Sequence, residues 1–146
     1  MAGVLDKIEW LESGTLRIVD YKTGNPDPKR TAAPGEQQPL GGDFWRQLAF
    51  YQILMETGRI YPEAVGKVAI AWLETDKRGN FPVTEISFSR DEINFVQGLV
   101  KDTYQKIQQR EFNTGCGKPD CAWCTMIRDR NIADSLPRTH EEGLDD

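Results

Sequence analysis

The sequence predicts an α/β fold in which a mixed central β-sheet is flanked by helices. Three observations support this class: a pair of alternating segments near the start of the chain, an almost continuous apolar segment at 65–74, and two helical stretches with an apolar stripe. The 146 residues are enough for one domain with a proper core. We expect that domain to span residues 1–130 and a polar, acidic tail to follow at 131–146.

The first two segments predict a β-hairpin. The loop at 12–14 can close it, because Gly14 tolerates the left-handed conformation that a three-residue hairpin loop needs. One face of the hairpin collects four alternating residues from each strand: Val4, Asp6, Ile8 and Trp10, then Leu16, Ile18, Asp20 and Lys22. In the register that this loop implies, Ile8 lies opposite Ile18 and Asp6 lies opposite Asp20.

The predicted pairing of Asp6 with Asp20 indicates a metal site. Like charges directly opposite each other destabilise a sheet, and two buried, unpaired carboxylates cost more. A hard divalent cation such as Mg²⁺ or Mn²⁺ removes both problems, because carboxylate oxygens are its preferred ligands. Lys22 follows on the same face, where its amine could orient a water or stabilise charge on a phosphate. The alternative is a solvent-facing hairpin with ordinary surface charges.

The stretch 25–42 is rich in proline, glycine and polar residues and predicts a long irregular loop. Long loops within compact domains are often functional. Lys29 and Arg30 are the cations in this loop that could meet a DNA backbone, although such a pair is more often simply solvated.

A helix is predicted from Asp43, as its N-cap, to about Thr57, with Gly58 ending it. Five residues share its apolar stripe: Phe44, Gln47, Leu48, Tyr51 and Met55. Gln47 and Tyr51 are four residues apart and therefore point the same way from consecutive turns. A buried amide needs a hydrogen-bond partner, so Gln47 is either part of a site or bound to a loop carbonyl, with Tyr51 in the core.

The second half of the chain predicts the rest of the sheet and a long helix. Residues 65–74 suit a strand at the centre of a sheet, and residues 81–88 suit another strand after a turn. Ser89 is a good N-cap for a helix from about Arg90 to Glu111. Its apolar stripe comprises six residues: Ile93, Val96, Leu99, Val100, Tyr104 and Ile107.

The motif Gly-x-x-Asp-Lys at 3–7, the strand ending Asp-Tyr-Lys-Thr-Gly at 20–24, and Gln47-x-x-x-Tyr51 together resemble the PD-(D/E)XK nuclease superfamily, in particular its RecB-like and AddB-like branch. The resemblance implies a restriction-endonuclease-like core, here lacking its upstream helix. It also implies a Mg²⁺-dependent deoxyribonuclease that is the exonuclease part of a DNA repair or recombination enzyme and is attached to a superfamily 1 helicase domain. By position, Asp6 and Asp20, with the Tyr21 carbonyl, match the metal ligands, and Lys22 matches the catalytic lysine. Gln47 and Tyr51 match catalytic-site residues that pack beside the metal and contact the catalytic strand or the DNA.

Three cysteines lie within nine residues, at Cys116, Cys121 and Cys124. In an intracellular chain this spacing points to metal ligation before disulfide formation, and both zinc and iron–sulfur sites usually need a fourth ligand. The resemblance implies a [4Fe–4S] cluster in the full-length protein, with the fourth cysteine upstream. Reduced cysteines in a Gly/Pro-rich turn, or a small structural zinc site, are the alternatives.

Composition narrows the class of protein further. The formal net charge of −5 disfavours a nonspecific electrostatic binder of nucleic acid, although it is compatible with a nuclease whose acids cluster at a metal site and in the tail. This net charge also leaves open the alternative that the chain is a catalytically silent DNA-binding or helicase-docking module of the same fold. No apolar run approaches the length of a membrane span, and an odd number of cysteines argues against a secreted disulfide scaffold. We therefore expect a cytoplasmic protein that does not associate with membranes.

Overall fold

The computed structural model describes residues 4–111 and 120–126, and the chain divides into two compact units, Met1–Lys101 and Asp102–Asp146. Within the described residues, the strands and the first two helices lie in the first unit, and the third helix begins there. The elements are β1 (Lys7–Trp10), β2 (Leu16–Lys22), α1 (Pro28–Thr31), α2 (Asp43–Gly58), β3 (Val65–Trp72), β4 (Val83–Ile86) and α3 (Arg90–Gln108).

The four strands form one mixed sheet in the order β1-β2-β3-β4. β2 and β3 run parallel, and the other two neighbouring pairs are antiparallel. The parallel pair is connected through α2, as expected when parallel neighbours need a helical crossover. The predicted fold class, a mixed sheet flanked by helices, is confirmed.

The predicted hairpin register is also confirmed, since Ile8 pairs with Ile18 and Trp10 with Leu16. Gly14 adopts a φ of 77°, the left-handed conformation that the loop requires. The alternation predicted upstream of Lys7 is wrong, because β1 begins at Lys7 and the chain bends at Asp6. Beyond that bend Leu5, rather than Val4, packs against the core.

The core lies between the sheet and α2. Its buried residues come from β2, β3 and the sheet-facing side of α2: Leu16, Ile18, Phe44, Leu48, Met55, Val68, Ile70 and Trp72. β3 is an interior strand of the sheet, as its apolar run predicts, and is shorter than the predicted range of 65–74. β4 is likewise shorter than the predicted range of 81–88.

α2 is buried on two sides. Its second side places Trp45 and Ala49 against Ile93 and Val96 of α3. The prediction that Asp43 is the N-cap is wrong by one residue, because Gly42 occupies that position and Asp43 begins the helix. α2 ends at Gly58, and its C-cap Arg59 takes the left-handed conformation with a φ of 49°.

α3 begins with a capping box in which Ser89 and Glu92 bond reciprocally. The Glu92 carboxylate accepts from the Ser89 backbone N–H at 2.8 Å, and the Ser89 hydroxyl accepts from the Glu92 N–H at 3.3 Å. Of the predicted apolar stripe, Ile93 and Val96 are buried, whereas Tyr104 and Ile107 are exposed. The predicted end at Glu111 is also too late, because the helix ends at Gln108.

The helices of residues 4–111 and 120–126 are too short or too polar to cross a lipid bilayer.

A linked group of charged side chains covers the sheet face opposite the core; we call it the charged face, formed by Lys7, Glu9, Arg17, Lys67 and Glu85. Arg17 lies at its centre and donates hydrogen bonds to both glutamates at 2.6 Å. Lys67 donates a second hydrogen bond to Glu85 at 2.7 Å. These bonds from Lys67 and Arg17 hold the pKa of Glu85 below its usual value.

The lowered pKa of Glu85 predicts a specific pH dependence of stability. A carboxylate with a depressed folded-state pKa contributes stability above its unfolded pKa, and that stability is lost as the pH falls through the folded value. We therefore expect the melting temperature of the wild type to fall more steeply than that of Glu85→Gln between about pH 5 and about pH 2. Thermal unfolding across this range measures the difference. Glu36→Gln, an exposed loop substitution that removes the same charge, should retain the wild-type slope; equal slopes for all three proteins would contradict the prediction.

Candidate active site

Three of the residues predicted to form the site, Asp6, Asp20 and Lys22, lie at one end of the sheet. Because β2 and β3 are parallel, their C-terminal ends, Lys22 and Trp72, lie side by side. β1 is antiparallel to β2 and therefore starts at this same end, just after Asp6. The N-terminal turn of α2 also lies here, since Phe44 packs against Trp72 with 5.9 Å between ring centroids.

Asp20 is the buried acid of this site, with only 3% of its surface exposed. The Lys22 ammonium lies 2.7 Å from its Oδ2. This contact lacks the geometry of a hydrogen bond, and within the described residues Oδ2 is a buried oxygen that accepts none. A buried carboxylate oxygen left in this state is costly, and such an atom in a folded protein calls for an explanation.

Asp6 lies beside Asp20 without being its partner in the strand ladder. The ladder ends at the pair of Lys7 with Val19, so the predicted pairing of Asp6 with Asp20 as strand residues is not formed. Instead the exposed Asp6 side chain accepts a hydrogen bond from the Tyr21 backbone N–H at 2.9 Å. The Asp6 carboxylate is therefore held at the peptide bond that follows Asp20.

These oxygen atoms fit a hard divalent cation. Asp20 offers a buried carboxylate oxygen that lacks a hydrogen-bond donor, Asp6 offers a second carboxylate, and the Tyr21 carbonyl belongs to the same stretch of backbone. No cluster of three or more His, Cys, Asp or Glu side chains suited to a metal occurs in the part of the chain that the structure describes. Two acids with water as the remaining ligand match the way Mg²⁺ is usually held.

Lys22 is positioned by an aromatic ring that the sequence did not indicate as part of the site. Its Nζ lies 5.2 Å from the centroid of the Phe44 ring, within the range of a cation–π contact. The Lys22 side chain is 22% exposed, so its ammonium can reach both Asp20 and the solvent. Phe44 was predicted only as one of several apolar residues on a helix stripe, and no local signal distinguishes it from the others.

Gln47 and Tyr51 are joined to each other. The Gln47 amide donates a hydrogen bond to the Tyr51 hydroxyl at 2.8 Å, across one turn of α2. Tyr51 also packs against the core. The hydrogen-bond partner required by Gln47 is thus Tyr51 rather than a loop carbonyl, and the roles of both residues beside the metal site stay predictions.

The loop before α2 is more ordered than predicted. Residues 28–31 form the short helix α1, whose N-cap Asp27 accepts from the Lys29 N–H at 2.9 Å. Arg30 in this helix donates to both oxygens of Asp43, from Nε at 3.0 and 3.1 Å. This pairing raises the pKa of Arg30 and lowers the pKa of Asp43. No sequence pattern indicates this pair, because its members are separated by an irregular stretch.

The cysteine prediction lies partly outside the described residues, since Cys116 is not among them. Cys121 and Cys124 are half-buried, and residues 122–126 are helical. The [4Fe–4S] cluster therefore stays a prediction of the sequence. The same holds for the acidic tail at 131–146, which lies wholly outside the described residues.

The interior strand β2 of this mixed sheet carries the buried acid Asp20 and ends two residues later at Lys22. This arrangement defines a restriction-endonuclease-like α/β fold with an acid-and-lysine site. The chain belongs to the PD-(D/E)XK nuclease superfamily, whose family model matches residues 1–128. Comparison with curated proteins and with solved structures gives no match. Members of this superfamily are usually nucleases and typically use Mg²⁺ or Mn²⁺.

Proposed function

We propose that this chain is a Mg²⁺-dependent deoxyribonuclease domain that hydrolyses phosphodiester bonds. The single observation that carries the proposal is the buried Asp20 carboxylate, whose Oδ2 accepts no hydrogen bond within the described residues, with Lys22 at 2.7 Å. The Lys22 ammonium partly neutralises this carboxylate, but Oδ2 accepts no hydrogen bond from the described residues, and a buried oxygen in this state is costly unless a further ligand binds it. A metal ligand is expected to be in this state before the cation binds.

The residues of the site have separate roles in this proposal. Asp6, Asp20 and the Tyr21 carbonyl would hold the cation. When bound, the cation lowers the pKa of a coordinated water and polarises the scissile phosphate. Lys22 stabilises negative charge on the phosphate or orients the water, since its ammonium is at the mouth of the site and is kept there by Phe44. Gln47 and Tyr51 would brace the second and third turns of α2 beside the site.

The wider setting that we propose rests on the resemblance of the Asp20–Gly24 and Gln47–Tyr51 motifs to RecB-like nucleases. In that setting the domain is the exonuclease part of a cytoplasmic DNA repair or recombination enzyme. Its partners are DNA and a superfamily 1 helicase domain, in the same chain or in another.

Replacing Lys22 by Met tests the proposed function. We expect hydrolysis of a DNA substrate in Mg²⁺ to slow about 10²-fold, because the Lys22 ammonium would no longer stabilise the negative charge that develops on the phosphate. Metal affinity, measured by calorimetry with Mn²⁺, should be kept or increased, since Lys22 no longer competes for Asp20. A time course of oligonucleotide cleavage at saturating metal gives the rate.

Lys67→Met is the matched control for this experiment. It makes the same chemical change in the same sheet, on the charged face rather than at the site, and should leave the cleavage rate unchanged. Equal rates for the wild type and Lys22→Met would contradict the proposed role. Absence of cleavage by the wild type, together with absence of Mn²⁺ binding that depends on Asp6 and Asp20, would instead indicate a catalytically silent module of the same fold.

A further inference from the structure

Arg30 lies beside the candidate active site and stacks on the residue that also contacts Lys22. Its guanidinium carbon is 3.4 Å from the centroid of the Phe44 ring, and Lys22 Nζ is 5.2 Å from that centroid. Phe44 is only 8% exposed, so these side chains cover a ring that belongs to the core. One buried ring thus fixes two cations that come from different elements, β2 and α1.

Hydrogen bonds orient the Arg30 guanidinium as well as hold it. Nε donates to both Asp43 oxygens, and Nη2 donates to Oδ2 at 2.5 Å. Nη1 donates no hydrogen bond within the described residues, and 45% of the side chain is exposed. The edge formed by Nε and Nη2 is occupied by Asp43, and one face of the guanidinium is covered by the Phe44 ring. The edge that carries Nη1 is therefore available to a ligand.

The backbone of α1 packs directly on the backbone that leads into α2. A Cβ atom added at Gly42 would lie 2.0 Å from the Arg30 carbonyl oxygen and 2.7 Å from the Lys29 carbonyl oxygen. Such distances mean that α1 is in direct contact with the backbone at the start of α2. The Gly42 N–H also donates to the Ala32 carbonyl at 2.8 Å, which fixes the end of α1.

We propose that Arg30 binds a phosphate of the DNA backbone next to the phosphate that is hydrolysed at Asp20 and Lys22; this inference rests on the proposed function. A guanidinium that is stacked, oriented and open along one edge suits phosphate, because its planar fork donates two parallel hydrogen bonds to that group. The Arg30 side chain is already ordered before the phosphate binds, which reduces the conformational entropy lost on binding.

The test measures binding of a fluorescent single-stranded oligothymidylate at several salt concentrations, in the presence of a chelator so that no hydrolysis occurs. Arg30→Met should weaken binding about tenfold at low salt. It should also reduce the slope of log K against log salt by about 0.7, the change expected when one phosphate contact is lost from single-stranded DNA. Arg30→Lys keeps the charge without the fork and should retain the slope while losing part of the affinity.

Lys29→Met is the matched control, because it removes the same charge from the neighbouring position of α1. We expect its salt slope to match that of the wild type. Equal losses for Arg30→Met and Lys29→Met would overturn the inference, since the effect would then be one of overall charge. Absence of measurable binding by the wild type at low salt would overturn it as well.

The two proposals can fail separately. If the wild type does not cleave DNA but Arg30→Met selectively lowers the salt slope, the phosphate site stands and the nuclease proposal fails. If Lys22→Met slows cleavage while Arg30→Met behaves like Lys29→Met, the nuclease stands and the phosphate site fails.

Discussion

Replacing Asp20 by Asn is expected to abolish metal-dependent DNA hydrolysis without lowering the stability of the protein. Asn has nearly the same size as Asp but lacks the negative charge that a hard cation requires. A bound metal supplies several kcal/mol of transition-state stabilisation, and each loss of about 1.4 kcal/mol slows a reaction tenfold. We therefore expect the cleavage rate to fall by about 10³-fold or more, together with the loss of Mn²⁺ binding in calorimetry.

Asp20→Asn should keep or raise the stability of the metal-free protein, although it removes activity. The wild-type Oδ2 is buried and accepts no hydrogen bond within the described residues, so removing its charge removes a desolvation cost. Lys22 would lose its partner, but its side chain is 22% exposed and can turn toward water. In the absence of metal, the melting temperature of the variant should equal or exceed that of the wild type.

Asp102→Asn provides the control for both measurements. Asp102 is an exposed acid in α3, and its replacement should change neither the cleavage rate nor the melting temperature appreciably. A cleavage rate for Asp20→Asn within tenfold of the wild type would contradict the assignment of Asp20 as a metal ligand. A marked fall in its melting temperature would mean that the charge of Asp20 stabilises the fold.

The parts of the site that could be predicted from the sequence are those set by local rules. Alternation along β2 places Asp20 and Lys22 on the core face, and the loop at Gly14 sets the register with β1. Both rules concern residues that are close in sequence, and both predictions are confirmed. The role of these residues in a metal site is supported by the family and by the buried Asp20 oxygen, and it stays a proposal.

The parts that could not be predicted depend on contacts between distant residues. Arg30, Asp43 and Phe44 are brought together by α1, which forms within a stretch whose composition indicates an irregular loop. Asp43 reads as a helix N-cap because its type and position suit one, yet its carboxylate is engaged by Arg30 and the cap is Gly42. Likewise, alternation at Val4 and Asp6 fails because the chain bends at Asp6 and β1 begins only at Lys7.

The geometry of the site depends on how firmly α2 is held. This helix contributes Phe44 to the core beneath it and Trp45 to the cluster shared with α3. Trp45 is 1% exposed and lies against Phe88 and Phe95, with ring centroids 5.3 and 6.4 Å away. A site that must be held to within a fraction of an ångström is best carried by an element packed on both sides.

Replacing Trp45 by Ala is therefore expected to lower the free energy of unfolding by about 3–5 kcal/mol, the usual cost of truncating a buried tryptophan. Denaturant unfolding monitored by circular dichroism measures this loss. Trp10→Ala is the matched control, because Trp10 is 61% exposed and makes one edge contact with the Tyr61 ring; its replacement should cost no more than about 1.5 kcal/mol. Equal losses for the two variants would mean that the packing of α2 against α3 contributes little to stability, and the rigid placement of Phe44 would then have to come from the sheet alone.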